Sequence, residues 1–494
     1  MRAVAALLVV VGTASCGRVA GRNHADAAMS LLRVGHGLEP TQAPASGVSE
    51  FINNIAFEAL LRGDQEGHTR PWMAESWALS SDSLSLTLYL RRNVTFHDGS
   101  PADAETVAEA VRASLPGVLG SVFEDIDTIT ASGTDKIVIR LRRPSPFVAE
   151  SLTQIPIQKP GNPAIGTAPF MALPRAGVAT TSAEMVAYPG YYLGPSTINR
   201  ILITTYPSMR AAWADMLRDR IDMVYDVRDD QLDSMRTATT HSLYTFERPY
   251  QYVVILNTRL PKLRSPEVRQ ALNRAIDRQA LVREGLSGQG TPSTGPISQH
   301  HWAYRGGDST FTYAPQAAAA LLAKGVPRSA VDRPVLTLKC LALPGAPYER
   351  LSLVLKKQLA AVGVFLDVED LVADRTLQAL VAHDYEAVLV DSISGWNLFQ
   401  PYRWWSSGGD RNPGFSDPAV DASLDDIRHA ASDEAYRSGV VAFQQAIADD
   451  PPAIFLAWGY RSRAVTRRLD VHAEAGRDVL ASLRLWRPPT DKPE

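Results

Sequence analysis

Cysteine is nearly absent from this chain: 494 residues carry two, Cys16 and Cys340. That excludes a disulfide-stapled scaffold. Cys340 sits in the alternating run Val335-Leu336-Thr337-Leu338-Lys339-Cys340 and reads as a small buried residue of a strand. Long apolar runs are missing too. The run Ala3–Gly12 falls well short of the roughly 18–20 residues that span a bilayer as a helix. No later window is long and apolar enough to cross a membrane. Charge of one sign is lacking: 50 Lys and Arg stand against 53 Asp and Glu, which excludes a polyanion binder. There is no long basic run and no zinc spacing, so no nucleic-acid partner is expected. His-Glu-x-x-His, a Walker loop, Gly-x-Ser-x-Gly and Cys-x-x-Cys are all absent, and Gly285–Gly290 has the wrong spacing for a phosphate loop. These absences argue against an enzyme, and nothing calls for a cofactor or a metal.

What is present begins at the N-terminus. Met1-Arg2 gives a positive start, Ala3–Gly12 a short apolar core, and Thr13-Ala14-Ser15 the small residues before a cut. That is the pattern of an export signal over residues 1–15. Thr13-Ala14-Ser15-Cys16 resembles a bacterial lipobox, with Thr13 where Leu is usual. The resemblance implies diacylation of Cys16, and two acyl chains suffice for stable anchoring. The leader contributes only Arg2, which leaves 49 basic residues against 53 acidic ones. A length near 480 residues exceeds one ordinary core and predicts two or three domains.

Strand and helix patterns alternate along the chain, which argues α/β layers. Ser83–Leu90 alternates as a strand with one buried face. Asp103 is placed to cap a helix carrying Val107, Val111 and Leu115 on one stripe. Ser208, Ser265 and Asp277 are placed to cap three more, the second with proline at its first position. Tyr252–Leu256 reads as a central strand, and Val364–Val368 and Ala387–Val390 as others.

The order of blocks resembles the family 5 solute-binding proteins of ABC importers, the peptide, nickel and opine binders. Trp72-Met73-Ala74-Glu75-Ser76-Trp77 is similar to the family's LAESW block. Phe96-His97-Asp98-Gly99-Ser100-Pro101 resembles its F-x-DG-x-P signature, and Gly166–Phe170 its GTGPY block. Val268-Arg269-Gln270-Ala271-Leu272 and Ala275-Ile276-Asp277-Arg278 are similar to VRQAL and AIDR. Pro418–Asp421 and Asp450–Ile454 resemble two later blocks, so the likeness runs from about Leu38 to about Asp470. It implies the large type II periplasmic-binding-protein fold, an α/β architecture of two lobes closing on a ligand. Residues 29–58, 166–256 and 457–494 would form lobe 1 after an anchored linker over 16–28. Residues 59–165 would form an extra subdomain of lobe 1, and 257–456 lobe 2. Crossing strands near Tyr252–Leu256 and Ala453–Trp458 would act as the hinge. The implied partners are a permease and ATPase complex, with the binding protein a monomer held to the membrane through Cys16.

Family peptide binders carry a W-x-x-D loop in the second lobe whose Asp pairs with the peptide amine. Here Trp396 fits that frame, but Phe399 stands where the acid would be. A buried ammonium without a carboxylate costs several kcal/mol, so Asp391 or Glu39 would have to serve. The same stretch is rich in rings, and the candidate ligand contacts are Trp396, Asn397, Phe399, Tyr402, Arg403 and Trp404, with Glu39 and Asp391. Trp404 and Trp405 point different ways in regular structure, so one of them packs. His300-His301 reads as a loop pair with no ligand role. The expected solute is a peptide or similar small molecule. An oligosaccharide, haem or metal chelate is the alternative, and so is a lipoprotein of this fold serving as a partner in the cell envelope.

Overall fold

The computed structural model describes residues 31–38, 45–173, 181–227, 229–306, 311–325 and 335–488. The expected leader, Cys16 and Glu39 lie outside the described residues. Local signals set many of the elements. Asp103 accepts from the Thr106 amide at 3.0 Å and opens the helix Ala104–Leu119. Ser208 and Asp277 cap Met209–Leu217 and Arg278–Gly285 in the same way. Ser265 differs from expectation. It precedes Pro266–Arg274, but its hydroxyl donates to Glu267 at 2.5 Å instead of capping the helix.

The molecule is two-lobed, and one sheet runs through both lobes. Its order is Val364–Asp370, Leu336–Ala342, Ala387–Ile393, His241–Leu256, Ala453–Thr466, Met223–Val227, Leu31–Gly37, Arg200–Tyr206, Ser182–Ala187 and Phe170–Ala172. The two longest strands, His241–Leu256 and Ala453–Thr466, belong to both halves. They pair from His241↔Thr466 to Glu247↔Tyr460 in one lobe and from Val253↔Phe455 to Ile255↔Ala453 in the other. Between these stretches the register slips at Glu247/Gln251 and again at Tyr252/Val253. The strands thus extend well beyond the short apolar segments legible in the sequence. Their polar halves hide the pattern, because Arg461 and Arg463 are paired with Glu50, Asp226 and Asp478 and so can sit in a sheet. Cys340 is buried in its strand, where burial pushes the thiol up to about 12 and keeps it unreactive.

A separate four-stranded sheet is ordered Ala74–Leu79, Ser85–Leu90, Lys136–Leu141, Ile126–Ser132. Val107, Val111 and Leu115 of the Ala104–Leu119 helix share a core with Leu88, Ile137 and Ile139 of this sheet. Each such side chain contributes roughly 1.5–3 kcal/mol by burial.

This subdomain is fastened to both lobes. Toward the first, the Thr95 and Tyr188 hydroxyls meet at 2.6 Å, and the His97 ring nitrogen Nε2 lies 2.9 Å from the Ala168 carbonyl oxygen. Toward the second, Arg428 grips Asp125 through Nε at 2.7 Å and Nη2 at 2.9 Å. Ser145 also donates to Asp125, and Arg428 donates to the Tyr402 hydroxyl at 2.6 Å. Glu150 accepts from Tyr436 at 2.8 Å and from the Phe399 amide at 3.1 Å. The apolar core of the subdomain is continuous with that around Phe399, Tyr402 and Phe443.

Candidate functional site

The slip in register between the crossing strands creates a local concentration of polar groups. Segment 247–251 reads Glu-Arg-Pro-Tyr-Gln, which breaks the apolar alternation where one lobe passes into the other. Arg248 reaches Asp391 on the neighbouring strand at 2.9 Å and lies 4.8 Å from the Tyr250 ring. Asp391 also accepts from the Tyr348 hydroxyl at 2.6 Å. Glu247 accepts from Thr291 at 2.6 Å, and Gln251 donates to Ser293 and to the Gly295 carbonyl. Trp458, across from Gln251, stacks with Trp396 at a centroid distance of 6.0 Å and an interplanar angle of 20°.

Five buried polar atoms in this neighbourhood have no hydrogen-bond partner among the described residues: Glu247 Oε1, Arg248 Nε, Gln251 Oε1, Asn397 Oδ1 and Trp458 Nε1. Such atoms are rare in folded proteins, and each costs roughly 1–3 kcal/mol if left unpaired. Here they sit on three chain segments that meet at one place. Burial raises the carboxyl pKa of Glu247, which has no ion pair among the described residues. Three of the atoms are acceptors and two are donors, so the place suits a polar solute that offers both kinds of partner.

The sequence-derived contacts divide. Trp396, Asn397 and Asp391 come together at this place. Asp391 is already matched by Arg248 and Tyr348, which makes it a positioning group for the guanidinium and not a spare acid. Phe399, Tyr402 and Arg403, the other expected ligand contacts, are each taken up in packing or pairing of their own. Phe399 is 0% exposed and packs on Phe147 at 5.9 Å. Tyr402 packs on the same ring at 5.5 Å and holds Arg428. Arg403 is held by Asp410 through two hydrogen bonds, the first 2.7 Å long. All three are on the helix Phe399–Trp405, whose burial joins the subdomain to the second lobe. Trp405 is the packed member of its pair, against Phe455, while Trp404 is half-buried. Glu39 lies outside the described residues. Glu247 was missed by sequence reasoning, and its only signal is that a Glu-Arg-Pro step comes shortly before the apolar run Val253–Leu256.

His301 is buried and stacks near Trp302 and Tyr436. Burial pushes its ring down to about 4, so it stays neutral at physiological pH. No group of metal-ligating side chains occurs among the described residues. Nor is any helix among them long and apolar enough to cross a membrane. Gly67, at φ +81°, brings the Asp64–His68 turn against this face: a Cβ there would lie 2.6 Å from the Trp396 carbonyl oxygen.

The chain is similar to several known proteins. It is 25% identical over 294 residues to a haem-binding protein A of Haemophilus influenzae, matching 51% of this chain and 53% of that protein. The chain spans about half the length of the curated relatives it matches. Among solved structures, NikZ of Campylobacter jejuni in complex with Ni(L-His) superposes with a TM-score of 0.77 at 20% identity, covering 93% of this chain and 99% of that one. The oligopeptide-binding protein AppA of Bacillus subtilis, in complex with a nonapeptide, gives 0.76 at 19% identity with the same coverage. At such identities the likeness shows the fold, which is the two-lobed one described above. A family model for the middle region of bacterial extracellular solute-binding proteins, family 5, matches residues 68–414. With more than half of its length under that model, this chain belongs to the bacterial extracellular solute-binding proteins, family 5.

Proposed function

We propose that this chain is the solute-capturing component of an ABC importer, delivering a small polar solute to a permease and its ATPase. The observation that carries the reading is the set of unpartnered buried polar atoms where the lobes meet. A solute that touches both lobes there stabilises the closed arrangement by its differential contacts, which is how such a protein signals occupancy. Glu247 is the acid best placed to take over the ammonium-binding role that the second-lobe loop lacks. Trp396, backed by the buried Trp458 ring on which it stacks, offers a flat apolar wall beside it. An amine-bearing solute with amide groups, such as a short peptide, fits this combination. The haem, nickel-complex and peptide ligands of the similar proteins set the rest of the panel to be tested. In this reading residues 59–165 form the subdomain, 257–456 lobe 2, and the remaining described residues lobe 1, whose crossing strand runs on through Val253–Leu256 into the sheet of lobe 2.

Thermal denaturation with short peptides, oligosaccharides, haem and nickel chelates tests the proposal. A true ligand at 100 times its Kd adds about 2.7 kcal/mol of apparent stability. Glu247→Gln is expected to weaken an amine-bearing ligand roughly tenfold or more, the worth of one charge-assisted hydrogen bond. Unchanged affinity in that variant removes Glu247 from the site. If no solute class shifts the transition, the importer reading gives way to that of a cell-envelope partner protein.

The same proposal holds the protein at the extracytoplasmic face of the membrane by lipid on Cys16, on the strength of the Thr13–Cys16 pattern. Cys16→Ala is expected to move the protein from the membrane fraction to the soluble one. Persistent membrane retention of that variant sinks the anchor.

A further inference from the structure

A second cavity, of about 330 Å³, lies apart from the strand crossing, where the subdomain, the first lobe and the segment 474–485 meet. Three guanidinium groups line it: Arg62, Arg477 and Arg484. Arg62 lies 4.9 Å from the Trp72 ring centroid and Arg484 lies 5.8 Å from that of Tyr191, and both rings line the same cavity. Neither Arg62 nor Arg484 has a side-chain hydrogen bond or ion pair among the described residues. Arg477 is matched by Glu474 at 2.5 Å. The other lining carboxyl, Glu58, is buried under the Tyr191 and Tyr192 hydroxyls, and burial lifts it to about 7. Desolvation, and after it neighbouring Arg477, disfavour the Arg62 cation, with Glu474 and Asp64 opposing them only in part. Positive charge is thus gathered around a void without enough negative charge to match it. Like charges are kept together in this way at a cost that an anion would remove.

The walls are organised, not merely charged. Gln65 donates to the Gly476 carbonyl at 2.5 Å, tying the strand that carries Arg62 to the loop that carries Arg477. Thr197 donates to the Trp486 carbonyl and fixes the end of the segment that carries Arg484. Leu480 and Leu483 of that segment belong to the core of the first lobe. The guanidiniums are therefore presented from anchored backbone, with two of them beside aromatic rings, as suits planar recognition of an oxyanion.

We infer that this cavity is a second binding site, taking a phosphate-type oxyanion between Arg62, Arg477 and Arg484. The source is either free phosphate or the headgroup of an anionic lipid, since both present the same oxygens. This site is independent of the solute site at the strand crossing and goes beyond the importer reading.

The test uses the full chain with Cys16→Ser, so that no acyl chain contributes. The probes are inorganic phosphate, read by thermal shift, and vesicles of phosphatidylcholine with or without phosphatidylglycerol, read by co-sedimentation. Each guanidinium removed is expected to weaken binding roughly tenfold. Arg62→Gln with Arg484→Gln should therefore weaken binding roughly a hundredfold and remove the response at probe concentrations that saturate the parent, and Arg484→Gln alone should weaken it roughly tenfold. Arg92→Gln with Arg210→Gln, an equal charge change on exposed residues, should leave it intact. A phosphate shift lost in the first pair assigns the free anion, and phosphatidylglycerol-dependent sedimentation lost in that pair assigns the headgroup. The inference is overturned if neither probe binds, or if the first pair of substitutions changes the response no more than the control pair. Circular dichroism in phosphate-free buffer separates loss of binding from loss of fold.

Discussion

Asp125→Ala is expected to lower unfolding stability by ~3–5 kcal/mol, the usual cost of removing one partner from a buried ion pair. Asp125 is 0% exposed and receives two hydrogen bonds from Arg428, one from Ser145 and one from Arg143. Without it the Arg428 guanidinium stays buried against the Tyr402 ring with no counter-charge. Replacing both partners, as Asp125→Leu with Arg428→Met, should cost much less than Asp125→Ala, because no orphan charge remains. The same pair predicts an acid limb. Burial pushes the Asp125 carboxyl up, but hydrogen bonds from His429 and Arg428 outweigh it and hold it at about 2, below its usual value near 4. A folded-state pKa below the unfolded one means the pair's contribution is complete above about pH 4 and fades as pH falls toward 2. Urea unfolding of both variants between pH 2 and 7 measures it. A cost below ~1 kcal/mol for Asp125→Ala would put the pair in the class of solvated surface bridges and refute its role as a fastening.

Arg278→Met should destabilise the second lobe by a similar ~3–5 kcal/mol, through a different cause. Arg278 is a buried cation with no ion-pair partner among the described residues, and burial lowers its pKa to about 9. It donates to the carbonyls of Phe455 at 2.6 Å, Phe311 at 2.8 Å, Asn273 at 3.0 Å and Ile276 at 3.2 Å, and to the Asn273 side chain at 2.9 Å. One planar fork thus joins a crossing strand, a helix end and the segment before Pro315–Gly325. Methionine fills the volume but strands those carbonyls. Lysine has three donors on a single nitrogen and cannot reach carbonyls spread around a fork, so Arg278→Lys is expected to keep little of the stability. A lysine variant as stable as the parent would show that charge alone matters there.

The sequence exposed these features unevenly. The α/β class and several capped helices follow from local spacing, complete within ten or twenty residues, whereas the family resemblance rests on the order of blocks from about Leu38 to about Asp470. The AIDR block shows the same division: Asp277 is readable as a helix cap, while the partners of Arg278 lie up to 177 residues away. The aromatic run from Trp396 to Trp405 could not be sorted in advance. A ring that lines a cleft and one that fills a core have the same composition, and only the position of Phe147 in the subdomain turns Phe399 inward. Glu247 escaped notice because its setting is made by Thr291 and by a slip in register, neither of which is a local pattern.

That slip has a meaning for insertions and deletions. Between His241↔Thr466 and Ile255↔Ala453 one crossing strand spends one residue more than its partner. Side chains alternate faces with a period of two, so the surplus sets the phase of one lobe's inward faces relative to the other's. Deleting a single residue within 248–250 would equalise the residue count of the two strands yet turn the apolar face of one lobe outward, whereas deleting two would preserve the phase. The crossing behaves as a parity element, and the spacing of Glu247 and Gln251 is fixed by the cores on either side as much as by any solute between them.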